Sequence, residues 1–258
     1  MEGRWTGRSV KTEAVVLRSI KYGEADVILT LFGRNTGKIG AIAKGVKKPK
    51  SRMRGTVQLF SFGDYMLYRG KSLYTVTQCE TKEPFSILRE DLVKLTYASY
   101  IAEILMGLLQ EEEVNPPVFN LMLVVMYMLS REYGTLAVRL FDLKMLKLAG
   151  YEPGLLSCVL CQGPLGQGVK FSNMDGGVVC VRCAARTAQG QKVSKGTLAI
   201  MNHLITENNL SKLDRLKISH NAHMEMENIL HSYWQYILER RLKSISFLKD
   251  IRILHENQ

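Results

Sequence analysis

The spacing of apolar residues changes period about a third of the way along the chain. In residues 11–82 it is short and strand-like. TEAVVLRSI (12–20) and ADVILTLF (25–32) are β-branched runs separated by the glycine-containing KYGE. In the second run Val27, Leu29 and Leu31 fall on one strand face, and Ile28, Thr30 and Phe32 on the other. RNTG turns the chain into KIGAIAKGV, where Ile39, Ala41 and Ala43 alternate with Lys38, Gly40, Ile42 and Lys44. TVQLFSFGDYMLY and SLYTVTQCET read as two further strands joined by RGK. Five short strands without an intervening helix are best buried as a small antiparallel barrel, closed or partly open, which leaves few exposed edges. An OB-fold is the expected form; an SH3-like barrel has the same periodicity.

After TKEP (81–84) the period becomes helical. Leu92, Leu95, Ala98, Ile101, Ala102, Leu105, Leu108 and Leu109 share a face from Glu90 to Leu109. EEEVNPP ends that helix, and Asn115 with Pro116 starts the next. VFNLMLVVMYML is apolar nearly all round, as a central bundle helix is. A helix from Thr135 to Ala149 stops at Gly150 with Pro153 beyond. Ser194 is placed to cap KGTLAIMNHLI, and Ser219 to cap HNAHMEMENILHSYWQYILERRL, residues 220–242. The expected organisation is an N-terminal tail at 1–10, a barrel at 11–83, and a helical domain at 84–258 with a Gly-rich insert at about 151–193. The fold class is therefore α+β and multi-domain. No internal repeat or low-complexity segment interrupts it.

Composition changes little in this picture, but charge changes it a good deal. Hydrophobic content of 46% and charged content of 23% are ordinary for a globular protein. No apolar run approaches membrane-spanning length, and MEGRWTGRSV lacks the apolar core of a signal peptide, so a cytoplasmic protein is expected. The net charge of +11 is uneven: residues 1–83 hold 16 Lys and Arg against 7 Asp and Glu, residues 84–258 hold 19 against 17. A basic excess confined to the barrel is the footprint of a phosphate-backbone binder. It peaks in KGVKKPKSRMRG (44–55), which has six cations and no acid. Pro49 and like-charge repulsion make that run a loop rather than a strand.

Four of the five cysteines fall in the insert as CVLC (158–161) and CVRC (180–183), with 18 residues between. Two such knuckles supply a tetrahedral thiolate set for a structural Zn²⁺, one per chain, with Cys158, Cys161, Cys180 and Cys183 as ligands. Four thiolates leave no position for a reacting water. The Gly-rich spacer suits a small ribbon, and the metal would staple an insert with little core of its own. Lys170, Arg182 and Arg186 leave open a contact between this insert and nucleic acid. Cys79 reads as a small buried apolar residue in the last strand.

Catalytic motifs are lacking. GRNTGKI (33–39) has three residues between its glycines and Ile39 after the lysine, so it is a hairpin turn rather than a nucleotide loop. The five histidines form neither HExxH nor part of a GxSxG elbow. The EEE run at 111–113 reads as a solvated helix end, and carboxylates are too few in the basic third for a two-metal nuclease. Phe32, Phe60, Phe62, Tyr65, Tyr68 and Tyr74 are interleaved with Arg34, Arg69 and Lys71, which leaves them either stacking platforms for bases or barrel core.

KTEAVVLRSIKYGEADVILTLFGRNTGKIGAIAKGVKKPKSRMRG, followed by LYRGKSLYTVTQCE, resembles the bacterial RecO family of recombination mediators. The order of barrel, helical bundle and four-cysteine insert is similar too, and the likeness runs from about Lys11 onward. The resemblance implies a protein that is not an enzyme. It implies binding of single- and double-stranded DNA, annealing of complementary strands and association with RecR and the nucleoid. It also implies an indirect role in loading RecA onto DNA coated by single-strand-binding protein. The DNA-binding positions it implies here are Arg18, Lys21, Arg34, Lys38, Lys44, Lys47, Lys48, Lys50, Arg52 and Arg54, with Arg69 and Lys71. It further implies that the helical domain docks the C-terminal tail of single-strand-binding protein, for which Arg139, Lys144 and Lys147 are candidates. An RNA-binding or ribosome-associated protein remains the alternative, since an OB-fold with a zinc ribbon suits RNA equally.

Overall fold

The computed structural model describes residues 9–185, 190–209, 212 and 216–248. The expected tail at 1–10 lies outside them up to residue 8, as does Arg186. The elements are β1 (Ser9–Tyr22), β2 (Asp26–Gly33), β3 (Gly37–Ala43), β4 (Phe62–Arg69), β5 (Tyr74–Glu83), α1 (Ile87–Glu90), α2 (Leu92–Leu108) and α3 (Pro116–Ser130). They continue with α4 (Gly134–Leu148), β6 (Lys170–Ser172), β7 (Gly177–Val179), α5 (Val181–Ala184), β8 (Gln191–Lys192), α6 (Lys195–Thr206) and α7 (His220–Ile237). The described residues form two compact units: 9–132 with 246–248, and the described part of 133–245. The barrel strands end at Glu83, whereas compactness groups α1 to α3 with the barrel.

In the first unit the strands close in the order β1-β2-β3-β5-β4, an OB-like barrel. All seams are antiparallel except β3 with β5, which is parallel and short: Ala41 opposes Tyr74 and Ile42 opposes Thr75. Val27, Leu29 and Leu31 point inward, as their alternation requires, and meet Ala14, Val16, Ile39, Ala41, Tyr65, Leu67 and Val76. The opposite face of β2 is not all solvent. Phe32 is fully buried and makes an edge contact with Phe119 of α3, ring centroids 5.5 Å apart. β1 carries a register shift between Val16 and Arg18. A bulge there bends the strand, so that one half pairs with β4 and the other with β2.

Helix starts follow the capping residues. Asp91 accepts from the N–H groups of Val93 and Lys94 at the head of α2. Asn115 accepts from Val118 N–H at 3.2 Å to open α3, with Pro116 in its first turn. In the second unit Ser194 caps α6 through Thr197 N–H, and Ser219 caps α7 through Ala222 N–H. α4 ends before Gly150, whose φ of 81° is the left-handed stop expected of glycine. α7 is shorter than its apolar pattern suggested. It stops at Ile237, because the backbone turns left-handed at Glu239 (φ 51°). Among the described residues no helix is long and apolar enough to cross a membrane.

Candidate nucleic-acid interface and metal centre

The basic loop is folded from its backbone and its few apolar residues, not from its charges. Residues 44–61 form a chain of turns between β3 and β4. Gly45, at φ 67°, donates its N–H to the Asp26 carboxylate at 2.7 Å, and Lys47 N–H donates to Ala25 O at 2.9 Å. These bonds tie the loop to the β1–β2 turn. Val46 and Val57 are buried in the barrel core, and Met53 packs against it. The Tyr65 hydroxyl, inside the barrel, donates to Thr56 O at 2.8 Å. With the backbone anchored this way, Lys44, Lys47, Lys48, Lys50, Arg52 and Arg54 are all exposed. Among the described residues none of these six has a carboxylate within ion-pairing distance.

Strand register separates the sequence-predicted cations into two groups. At the end where β3 finishes and β2 begins, Lys21 opposes Val27, which in turn opposes Ala43, just before Lys44. Lys21 and the six loop cations therefore gather at one end of the barrel, and Arg18 lies exposed on β1 nearby, opposite Thr30. At the end where β3 begins lie Arg34, Lys38, Arg69 and Lys71, and three of these four are engaged. Arg34 pairs with Glu13 at 2.6 Å, donates to Asn120 Oδ1 at 2.6 Å and lies over the Phe119 ring. Lys38 donates to Met106 O in the last turn of α2 and sits 3.5 Å from Glu111. Arg69 donates to both carboxylate oxygens of Glu112, at 3.0 and 2.8 Å. Lys71 is exposed in the β4–β5 turn.

The glutamate run at 111–113 is exposed, as expected of a solvated helix end, but it is also engaged with the barrel. The α2–α3 connector lies along the start of β3: Glu112 N–H donates to Lys38 O at 2.8 Å. Tyr74 OH also donates to Glu112, and burial followed by that bond raises the tyrosine pKa. Of the six barrel aromatics, Phe32, Phe60, Phe62, Tyr65 and Tyr74 are buried; Tyr68 is 40% exposed. Tyr65 and Tyr74 belong to the barrel core, whereas Phe32 and Phe62 pack against Phe119 of α3 on the outside of the barrel.

In the second unit the four insert cysteines converge, their Sγ atoms all within 4.8 Å of one another. Cys161 and Cys180 Sγ are 3.8 Å apart. A tetrahedron with Zn–S bonds of about 2.3 Å has edges of roughly 3.8 Å, close to the spacing of these sulfurs, so the cluster could hold one metal ion. The first knuckle closes through Gln162 N–H to Cys158 O and Cys158 N–H to Gly163 O, with Gln162 at φ 55°. The second starts α5, where Cys183 N–H and Ala184 N–H both return to Cys180 O. Burial pushes the Cys158 thiol up, but the N–H groups of Cys180, Cys161 and Leu160 outweigh it and bring it down. The Cys183 N–H lowers Cys180, while the sulfurs of Cys180 and Cys161 push Cys183 up. A cation among the four sulfurs would relieve that crowding of negative charge. β6, β7 and β8 form the small sheet beside the cluster. Lys170 is half-buried on β6, and Arg182 is exposed. Cys79, away from the cluster, is half-buried against the barrel core, and burial raises its thiol pKa.

The three α4 cations differ from one another. Arg139 is not on a wet face: its side chain is 1% exposed, 3.1 Å from the fully buried Asp142 and 3.7 Å from Glu227. His231 and Trp234 of α7 complete this cluster, Trp234 donating to Asp142 at 3.0 Å. Arg139 is a buried residue of this cluster, not an exposed cation of α4. Lys144 donates to Ile205 O and Asn208, and burial lowers its pKa. Lys147 is half exposed beside Glu152.

The chain matches two family models that follow one another. Residues 8–85 match the recombination protein O N-terminal model, and residues 89–245 the recombination protein O C-terminal model. A DNA repair protein RecO of Pelotomaculum thermopropionicum is 43% identical over 238 residues, covering 92% of this chain and 93% of that protein. The DNA repair protein RecO of Alkaliphilus metalliredigens is 36% identical over 245 residues, covering 94% and 99%. That of Moorella thermoacetica is 37% identical over 243 residues, covering 93% and 91%.

Proposed function

Because this chain belongs to the RecO family of DNA repair proteins, we propose that it is a recombination mediator that binds single- and double-stranded DNA and anneals complementary strands without chemistry of its own. One observation carries the reading: six loop cations are held out from an anchored backbone with no carboxylate partner among the described residues. Two nucleic-acid strands repel each other. A row of fixed cations neutralises phosphates and releases their counterions, so that two complementary strands can approach and pair. Sequence preference is low, since phosphate contacts position a strand without reading it.

The interface proposed is Arg18, Lys21, Lys44, Lys47, Lys48, Lys50, Arg52 and Arg54; Lys71 is exposed but lies at the other end of the barrel, apart from them. The four cysteines hold one structural Zn²⁺, which stiffens the insert and closes off no reaction path. RecR, the tail of single-strand-binding protein and, indirectly, RecA are the partners that go with this role in the cytoplasm. Of the α4 lysines, Lys147 is the one open to such a tail.

The test is annealing of two labelled complementary oligonucleotides across a salt series, without nucleotide. With about five phosphates engaged on a single strand, log K falls with log salt at a slope of roughly −3.5. Lys47→Glu, Lys48→Glu and Lys50→Glu together should abolish annealing and leave the fold intact; unchanged annealing would sink the loop assignment. The RNA-binding alternative predicts that RNA outcompetes DNA of the same sequence. Magnesium-dependent cleavage of the labelled strands would point instead to an enzyme.

A further inference from the structure

The two ends of the barrel carry similar cations, but one end has already been supplied with anions by the chain itself. The connector between α2 and α3 contains Glu111, Glu112 and Glu113 in sequence. It is fixed against the start of β3 by backbone: Glu112 N–H donates to Lys38 O, and Glu111 forms a parallel bridge with Lys38. Glu112 itself has φ 58°, outside the usual range for a side-chain-bearing residue. The connector lies so close that a Cβ on Gly37 would fall 2.2 Å from Glu113 O. Gly37 therefore serves two needs, its own φ of 67° and the space for this strap.

The strap's carboxylates take up the cations around it. Glu112 presents both oxygens to Arg69 and accepts from Tyr74 OH. Glu111 lies 3.5 Å from Lys38, whose side chain is 12% exposed and whose amine also donates to the Met106 carbonyl. Glu112 thus sits where a phosphate oxygen pair would sit on Arg69, and the neighbouring glutamates add negative charge around it. The opposite end of the barrel, with Lys21 and the loop cations, has no such strap among the described residues.

From this geometry we infer that the glutamate strap is a phosphate-excluding boundary: it occupies Arg69 as a phosphate mimic and confines a bound nucleic-acid backbone to the loop end of the barrel. This rests on the nucleic-acid-binding reading given above. The strap acts on the length of the footprint, so it sets how many phosphates are engaged and how steeply binding responds to salt. The backbone anchors hold the strap in place, so its side chains alone decide whether Arg69 is available.

Glu112→Gln in the full chain keeps the length of the side chain and an oxygen for Tyr74 OH, but removes the charge and one of the two oxygens that hold Arg69. Binding of a labelled single-stranded oligonucleotide is then titrated from about 50 to about 200 mM salt. Freeing Arg69 for one more phosphate should steepen the slope of log K by about 0.7, so the variant's advantage over the wild type shrinks roughly 2.6-fold across that range. Adding Arg69→Gln to Glu112→Gln should return the slope to the wild-type value. Glu111→Gln, at a mostly exposed side chain, serves as a second variant that folding cannot confound; it should tighten binding at low salt by removing a repulsive charge. If Glu112→Gln and Glu111→Gln both match a wild type that binds in a salt-dependent way, the boundary is refuted while the function stands. A wild type that binds no nucleic acid refutes the function itself.

Discussion

Truncating Arg139 to alanine separates a structural residue from a surface one. Its guanidinium lies 3.1 Å from Asp142, 3.7 Å from Glu227 and 3.3 Å from His231 Nε2, at 1% side-chain exposure. Asp142 has 0% exposure and keeps its bond from Trp234 Nε1 after the change. One donor to a carboxylate that no water reaches does not replace a guanidinium. Removing one partner of a buried ion pair costs about 3–5 kcal/mol, because the other charge is left stranded. With a urea dependence of ~2 kcal/mol per molar, the midpoint for the unit containing α4 and α7 should fall by about 2 M. The assay is urea unfolding of the full chain, followed by the fluorescence of Trp234, which reports on this cluster directly; the other tryptophan, Trp5, lies outside the described residues. Lys147→Ala, at a half-exposed position, should leave the midpoint within about 0.3 M of the wild type. An Arg139→Ala midpoint equally close to the wild type would refute the reasoning, and the residue would again be open to a role on the surface.

Two further outcomes are expected. Metal analysis should give about one ion per chain for the four-cysteine cluster, and stripping the metal should lower the melting temperature and speed amide exchange in β6 and β7; identical melting with and without metal would remove its structural role. Glu13 is held below the ordinary carboxylate pKa of 4.5, first by the Lys82 hydrogen bond and then, against the cost of burial, by Arg34. A lowered folded-state pKa means that its contribution is complete above the unfolded value and is lost as pH falls through the folded one. Wild type should therefore lose stability faster than Glu13→Gln below about pH 4.5, and parallel loss in acid denaturation curves would contradict the assignment.

What could be read from the chain beforehand was what depends on neighbours in sequence. Asn115, Ser194 and Ser219 cap the helices they precede, because a cap needs only the next three residues. The cysteine knuckles are equally local, and their convergence follows from spacing and a short ribbon. The inward set of β2 was legible from alternation alone. What escaped depends on partners far along the chain. Arg34 looks like any basic turn residue until Asn120 and Phe119 of α3 arrive beside it. The glutamate run has no visible purpose until Lys38, Arg69 and Tyr74 are placed under it. Arg139 did leave a signal: it stands between Val138 and Leu140 with Asp142 one turn on, a charge pair inside an otherwise apolar stretch of helix. Helical spacing tells which residues are neighbours but not whether water reaches them, so the burial of Arg139 was not legible from it.

The short parallel seam between β3 and β5 bears on how the barrel is assembled and how it breathes. Every other seam joins strands along most of their length, but this one joins them at Ala41–Tyr74 and Ile42–Thr75 alone. Hairpins β1–β2–β3 and β4–β5 can form from local turns, while the parallel closure must span the whole basic loop. With two residue pairs to hold it, this seam should be the first to part in native fluctuations. The amides on either side of it should exchange with solvent well before those of the β1–β2 hairpin, as the least-held edge of an otherwise continuous wall.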